Sequence, residues 1–233
     1  MHDIRAGLLR VRERVAAAAE RAGRRADDVL VIAVSKTVPV ERVREAIAAG
    51  VAALGENRVQ EAKAKVAALG RAVPWHLIGH LQTNKVKDAL AIFDVIHSVD
   101  RLDVAREIER RAAAGGRAID VFLEINVGNE PQKSGFAPDA VAAALDEVAG
   151  MAHLKVRGLM AIPAVVERPE ESRPAFRALR GLAERHGLKE LSMGMSGDFD
   201  VAIEEGATMV RVGAAIFGPR PGAPARPEPE ASA

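Results

Sequence analysis

The sequence of 233 residues contains no cysteine and no tyrosine, and aromatic residues make up only 3% of it. The absence of cysteine excludes disulfides, zinc–thiolate sites and cysteine nucleophiles, and it fits a reducing compartment. No stretch approaches the roughly 20 apolar residues that a membrane helix requires, and the charged N-terminus has no apolar core for a signal peptide. Lys and Arg (33) balance Asp and Glu (32), unlike the basic surface of a nucleic-acid binder. We therefore expect a cytoplasmic protein with neither a nucleic-acid nor a membrane partner.

Apolar strand-like runs alternate with amphipathic helical segments along most of the chain. An N-terminal helix comes first, with Ile4, Leu8, Val11 and Val15 at helical spacing on its buried side. The predicted strands cover residues 29–34, 51–54, 76–78, 95–98, 119–126, 156–160, 191–193 and 209–212. The predicted helices cover residues 40–49, 58–69, 84–91, 102–114, 139–149, 170–186 and 199–205.

This alternation is typical of a parallel sheet, and eight βα units in this length match a (β/α)8 barrel. The fold class is therefore α/β, a single TIM-type barrel with an extra N-terminal helix. An open doubly wound sheet is the alternative. We assign residues 1–220 to the barrel and residues 221–233, which are rich in Pro, Ala and charge, to a disordered tail.

Lys36 follows directly on the apolar run 29–34, in the segment Ser35-Lys36-Thr37. A lysine at the mouth of a buried strand is costly to desolvate unless it has a use. In a partly desolvated pocket a lysine loses its charge readily and becomes a nucleophile that forms Schiff bases. The alternative is an ion pair at the rim of the barrel, for instance with Glu56.

Small residues follow the predicted seventh and eighth strands. Ser196 and Gly197 come after strand seven, and Gly213 and Ala214 come after strand eight. In a (β/α)8 barrel the loops after these two strands form the usual phosphate site. Alternatively, the serine only caps a helix and the Gly-Ala pair only allows close packing.

Strand eight of a closed barrel lies beside strand one, so Lys36 is expected next to this phosphate site. A lysine that forms Schiff bases beside a phosphate site is the combination that binds pyridoxal 5′-phosphate. Arg211 could meet the ring nitrogen or the phosphate of this cofactor. A phosphosugar enzyme with Lys36 as an aldolase-type lysine stays open. So does a residual racemase or transaminase in which His76 or His80 carries protons. We reject a metal site at this histidine pair because the residues between them indicate strand and loop.

Six segments of the chain resemble one protein family. They are AVSKTVP, LGENRVQEA, WHLIGHLQTNK, EINVGNEPQKSGF, RGLMAIP and LSMGMSGDFDVAIEEGATMVRVGAAIFG, in order between residues 29 and 220. These segments are similar to those of the pyridoxal phosphate homeostasis proteins, the YggS/PROSC family. The resemblance implies a single barrel similar to the N-terminal domain of alanine racemase.

The resemblance also implies a cofactor site that holds pyridoxal 5′-phosphate as an aldimine on Lys36. Four residues would hold the phosphate, Arg211 would face the pyridine nitrogen, and Asn57 would lie at the rim beside the ring. The cofactor-binding residues implied in this way are Lys36, Asn57, Ser196, Gly197, Arg211, Gly213 and Ala214. Family members often have threonine at the position of Ala214, so one hydroxyl contact to the phosphate would be missing here.

We expect a protein that buffers or delivers the cofactor without substantial catalysis. Alanine racemase uses a tyrosine beside a second domain as its second base, and this chain has no tyrosine and ends soon after strand eight. The expected partners are pyridoxal phosphate and the apoenzymes that depend on it, with the chain itself a monomer. Lys85 and Lys133 are further candidates for passing the cofactor on. The alternative function is that of a racemase-type enzyme with residual activity.

Overall fold

A computed structural model describes residues 2–219, and the predicted tail at 221–233 lies outside these described residues. Eight parallel strands close into a barrel in chain order, which confirms the predicted fold and excludes the open sheet. The strands are β1 (Leu30–Val34), β2 (Ala53–Glu56), β3 (Trp75–Leu77), β4 (Val95–Val99), β5 (Ile119–Glu124), β6 (Leu154–Met160), β7 (Glu190–Met195) and β8 (Met209–Val212).

Helices follow the strands and form the outer layer. They are α1 (Ile4–Arg21), α2 (Val40–Ala48), α3 (Val59–Leu69), α4 (Val86–Ile92), α5 (Leu102–Ala114), α6 (Val141–Ala149), α7 (Arg173–Arg185), α8 (Phe199–Glu204) and α9 (Ala214–Phe217). Across residues 2–219, no helix combines the length and the apolar character needed to cross a membrane.

Several predicted element boundaries differ from the structure, and at β2, α6 and α7 a glycine or a short 3-10 turn is involved. Strand β2 extends two residues beyond its predicted end because Gly55 belongs to the strand. A Cβ at that position would lie 2.8 Å from the side chain of Ile32, so a glycine fits the crowded barrel interior. Helices α6 and α7 begin later than predicted because the 3-10 turns Pro138–Ala140 and Pro169–Ser172 precede them.

Helix α1 is the predicted additional helix, and its apolar side is buried as expected. Ile4, Leu8, Val11 and Val15 are all buried, and Asp3 caps the helix by accepting from the backbone N–H of Ala6. The helix packs against α2, α8 and α9, so it covers the region where the first and last βα units meet.

The strand register fixes which side chains point into the barrel. Partners in a parallel ladder lie on the same face of the sheet, and side chains alternate along each strand. Ile32 pairs with Arg211 on one side and with Ala53 on the other, and Ser192 pairs with both Met160 and Met209. Arg211 donates to Ser192 of the neighbouring strand inside the barrel, so these residues all face inward. Apolar side chains on the other face pack under the helices.

Candidate functional site

The segment Ser35-Lys36-Thr37 leaves strand β1 at the rim of the barrel. Ser35 is buried, Lys36 is half-buried and Thr37 is exposed with a positive φ of 63°. Strand β1 pairs with β8 up to Ala33 opposite Val212, so the loop that carries Lys36 begins beside the loop that carries Gly213. The predicted closeness of these two loops is therefore present in the fold.

A buried ionic network supports the Lys36 segment from the side of helix α3. Lys65 donates to Oε1 of Glu56 at 2.7 Å, to Oε1 of Glu61 at 2.7 Å and to the carbonyl oxygen of Ser35 at 2.5 Å. The hydroxyl of Ser35 also donates to Glu56, and Glu61 accepts from the backbone N–H of Thr37 at 2.6 Å. The segment is thus held at the residues on both sides of Lys36.

Sequence reasoning considered Glu56 only as a partner for Lys36, and it missed Lys65. Glu56 is fully buried, and burial raises the pKa of its carboxyl although Lys65 and Ser35 oppose this shift. A signal for Lys65 was present, because it lies four residues after Glu61 on one face of α3, a spacing typical of helical ion pairs.

The loops after β7 and β8 meet through one hydrogen bond. The backbone N–H of Gly213 donates to Oγ of Ser196 at 3.2 Å. Among residues 2–219, no acceptor is found for the backbone N–H groups of Ser196, Gly197 and Ala214. Backbone N–H groups without acceptors in two adjacent loops are suited to binding an anion. Of these four predicted residues, Ser196 and Gly213 are in direct contact.

Asp198 fixes the first of these loops. Its Oδ1 accepts from the backbone N–H of Met195 at 2.7 Å, and its Oδ2 accepts from the hydroxyl of Ser172 at 3.1 Å. The preceding Gly194 has a φ of 90°, and a Cβ there would lie 2.6 Å from the Cβ of Ala202. Glycine is therefore required for the close turn that presents Ser196.

Arg211 lies inside the barrel below the mouth. It is 3% exposed, and it donates to Oγ of Ser192 at 2.7 Å and to the carbonyl oxygen of Ala161 at 2.9 Å. Burial lowers the pKa of the guanidinium to about 10, against the opposing charges of Glu124 and Asp198. At neutral pH Arg211 is therefore a charged donor fixed next to the mouth.

His76 and His80, the two histidines considered as proton carriers, lie in different parts of the barrel. His76 faces into the barrel, where Nδ1 lies 2.8 Å from Nε2 of His97, and burial lowers its pKa to about 4. His80 lies on the rim, with Nδ1 2.8 Å from Oδ2 of Asp100. No cluster of metal-ligating side chains occurs in the described range, and this pair does not converge.

Asn57 directly follows β2 and lies at the rim of the barrel. Its Oδ1 is buried with no hydrogen-bond partner in residues 2–219. Gly79, after β3, packs directly on it, since a Cβ at Gly79 would lie 2.5 Å from the backbone oxygen of Asn57. An orphan acceptor at this rim fits a site that receives a polar ligand.

Glu124 and His97 are inward-facing polar residues that sequence reasoning missed. Glu124 ends strand β5 and pairs in register with the inward-facing Met160. Burial and the nearby Asp100 raise its pKa to about 7, while Arg211 opposes the shift. Polar residues at inward positions of otherwise apolar strands were the available signal.

Lys133, the loop lysine considered for cofactor transfer, donates to Oε1 of Glu130 and lies 3.4 Å from the carbonyl oxygen of Ile162. It belongs to the loop after β5, on the same rim as the other strand ends.

Comparison with known proteins places the chain in a family. The sequence profile described as "Alanine racemase, N-terminal domain" matches residues 8–221. A "Pyridoxal phosphate homeostasis protein" of Aquifex aeolicus is 46% identical over 91% of this chain and 96% of that protein. A protein of the same name from Pseudomonas aeruginosa is 44% identical over 97% of this chain and 100% of its own length. The chain belongs to the pyridoxal phosphate homeostasis protein family.

Solved structures of similar proteins agree with this membership. PipY of Synechococcus elongatus, solved with PLP bound, is 37% identical, has a TM-score of 0.80 and covers 93% of this chain and 100% of its own. An alanine racemase of Clostridium difficile has a TM-score of 0.68 at 16% identity, covering 84% of this chain and 53% of its own. This second likeness shows the common barrel fold alone.

Proposed function

We propose that this chain binds pyridoxal 5′-phosphate as an aldimine on Lys36 and buffers or delivers it, without substantial catalysis. The observation that carries the proposal is the contact between the loop of Ser196 and Gly197 and the loop of Gly213 and Ala214. Within residues 2–219 the backbone N–H groups of Ser196, Gly197 and Ala214 have no acceptor, which suits a phosphate, and the β1–β8 pairing places these loops beside the Lys36 segment. The PLP-bound PipY structure and the names of the homologous proteins support the same cofactor.

The residues divide into three roles around the cofactor. Lys36 would supply the amine that holds the aldehyde carbon of the cofactor. The two loops after β7 and β8 would hold the phosphate through Ser196 and backbone N–H groups. Arg211 would face the pyridine nitrogen, and Asn57 would meet a polar group at the rim.

The absence of tyrosine supports a carrier more than a racemase. The chain has no tyrosine to serve as the second base of a racemase. A charged arginine facing the pyridine nitrogen would also keep that nitrogen unprotonated, which weakens the ring as an electron sink. Apoenzymes that depend on pyridoxal phosphate would then be the recipients, and the protein would act as a monomer in the cytoplasm.

The experiment combines absorption spectroscopy, borohydride reduction and peptide mapping. Protein loaded with pyridoxal phosphate should show a visible band, and reduction should label the peptide that contains Lys36. Lys36→Ala should lose the band, and the matched loop variant Lys133→Ala should keep it. A label on another lysine, or no label at all, would overturn the assignment.

Residual racemase-type activity is the second candidate function. The raised pKa of Glu124 is the observation that favours it. A carboxyl at the barrel mouth with a pKa of about 7 is suited to proton transfer. Strand β5, which carries Glu124, lies opposite strand β1 in an eight-stranded barrel. A sensitive racemisation and transamination assay across the common amino acids decides between the two. Turnover that disappears in both Lys36→Ala and Glu124→Gln would establish an enzyme.

A further inference from the structure

The barrel interior contains a continuous chain of polar side chains that ends at Arg211. Arg211 donates to Oγ of Ser192 at 2.7 Å, Oγ of Ser192 lies 2.8 Å from Nδ1 of His97, and Nε2 of His97 lies 2.8 Å from Nδ1 of His76. Each of the four residues is at most 3% exposed. These four linked side chains cross the barrel interior from β8 through β7 and β4 to β3.

The direction of the hydrogen bonds follows from the chemistry of the groups. Arginine can only donate, so Ser192 accepts from Arg211. Among the described residues, no acceptor other than His97 is within reach of the Ser192 hydroxyl hydrogen, so Ser192 donates to Nδ1 of His97. Burial and the nearby charge of Arg211 hold the pKa of His97 well below its usual value, so the ring is neutral. A neutral ring that accepts at Nδ1 carries its hydrogen on Nε2, which then donates to His76.

Packing alone does not account for this row of hydrogen-bonded polar side chains. The interior of a (β/α)8 barrel is usually filled by Val, Ile and Leu, and buried polar groups are costly unless they are hydrogen-bonded. The ring of Phe122 stacks on His97 with centroids 4.6 Å apart and an interplanar angle of 13°, which fixes the imidazole in place. Each of these side chains has a hydrogen-bond partner and the arrangement is rigid, so it can hold a neighbouring group in a fixed orientation.

We propose that Ser192, supported by His97 and His76, is a positioning residue that sets the orientation of Arg211 toward the bound ligand. Ser192 and the carbonyl oxygen of Ala161 hold the two terminal nitrogens of the guanidinium, so its plane cannot rotate. This inference rests on the proposed function, in which Arg211 faces the pyridine nitrogen. Loss of the Ser192 hydroxyl would free one end of the guanidinium and leave Nδ1 of His97 without its donor.

The first test needs no ligand. Side-chain ¹H–¹⁵N spectra of the apoprotein, with the Arg211 signals assigned from Arg211→Lys, report how fast the terminal nitrogens rotate. We expect slow rotation in the wild type and fast rotation in Ser192→Ala. Ser98→Ala is the matched control. Ser98 is also buried, but it donates to the carbonyl oxygen of Gly79 and has no part in the hydrogen bonds that link Arg211 to His76.

The second test measures the consequence for the ligand. The dissociation constant of pyridoxal phosphate should rise about tenfold in Ser192→Ala, with a shifted visible band, and stay within twofold in Ser98→Ala. His97→Asn keeps a polar group but loses the ring stack, and it should show a smaller change of the same sign. A Ser192→Ala protein that folds with unchanged Arg211 rotation, or with unchanged affinity and band position, would overturn the inference. Failure of the wild type to bind would instead refute the proposed function, while the ligand-free spectra still report on Arg211.

Discussion

Lys65 donates a hydrogen bond to the fully buried Glu56 at 2.7 Å, and this pair lies directly beneath the segment that carries Lys36. Lys65 also bonds the carbonyl oxygen of Ser35, the residue before Lys36. The proposed attachment point for the cofactor is therefore fixed by a second lysine that lies outside the ligand site. Removing Lys65 would leave the buried Glu56 carboxyl without its charged partner, whereas Lys65 would keep Glu61 and the carbonyl oxygen of Ser35 if Glu56 were removed.

Lys65→Met tests this relationship by removing one partner of a buried ion pair. We expect a loss of about 3–5 kcal/mol in the free energy of unfolding, because the buried Glu56 carboxyl loses its charged partner and keeps only the Ser35 hydroxyl as a donor. Urea denaturation measures the loss. Lys63→Met, on the exposed face of the same helix and 4.0 Å from Asp88, should change stability by less than about 0.5 kcal/mol. Adding Glu56→Gln to Lys65→Met should recover part of the loss, and no recovery would contradict the ionic explanation.

Ser196→Ala tests the proposed phosphate site at the loops after β7 and β8. The variant loses the hydroxyl that accepts from Gly213 at 3.2 Å and that would contact the phosphate. We expect affinity for pyridoxal phosphate to fall about tenfold, in line with loss of one hydrogen bond to a charged group. Titration with pyridoxal, which lacks the phosphate, provides the control and should be unaffected. Equal loss for both ligands would assign Ser196 to some role other than phosphate binding.

Ala214→Thr tests the departure from the family pattern. Ala214 is exposed and its backbone N–H has no acceptor in residues 2–219, so a threonine hydroxyl can be added without repacking the core. We expect affinity for pyridoxal phosphate to increase by up to about tenfold through an added hydrogen bond to the phosphate. Ala214→Val has a similar shape without the hydroxyl and should not tighten binding. A gain in both variants would indicate packing as the cause.

The barrel and the meeting of its rim loops could be predicted from the sequence because they depend on local patterns. Apolar runs alternate with amphipathic segments, and small residues follow the strands at Gly197 and Gly213. The closed order of strands then brings the loops after β7 and β8 beside Lys36 without further information.

The supporting contacts could not be predicted because they depend on the register between strands distant in sequence. His97 and Ser192 are separated by 95 residues, and their contact exists only because the inward positions of β4 and β7 lie at one level in the barrel. The extension of β2 through Gly55 likewise follows from the side chain of Ile32 on the neighbouring strand. The sequence pattern of a strand indicates which side chains point inward and which point outward. It does not indicate which inward side chains of different strands come into contact.

Glu124→Gln tests whether the carboxyl at the barrel mouth titrates near neutral pH. Burial, with Asp100 adding to it and Arg211 opposing it, raises the pKa of Glu124 from 4.5 to about 7 in the folded protein. Between these values the folded protein binds a proton that the unfolded chain has lost. The stability linked to this group is therefore fully present below pH 4.5 and is lost as the pH rises through 7.

A pKa raised from 4.5 to about 7 corresponds to roughly 3–4 kcal/mol of linked stability. Glutamine does not titrate, so the stability of Glu124→Gln relative to the wild type should increase between pH 5 and 8. Urea denaturation of both proteins across this range measures the difference. Glu184→Gln, at a side chain that is 68% exposed, should give a curve parallel to that of the wild type. Parallel curves for Glu124→Gln as well would mean that Glu124 stays ionised throughout. That result would also remove the one observation that favours proton transfer at this mouth.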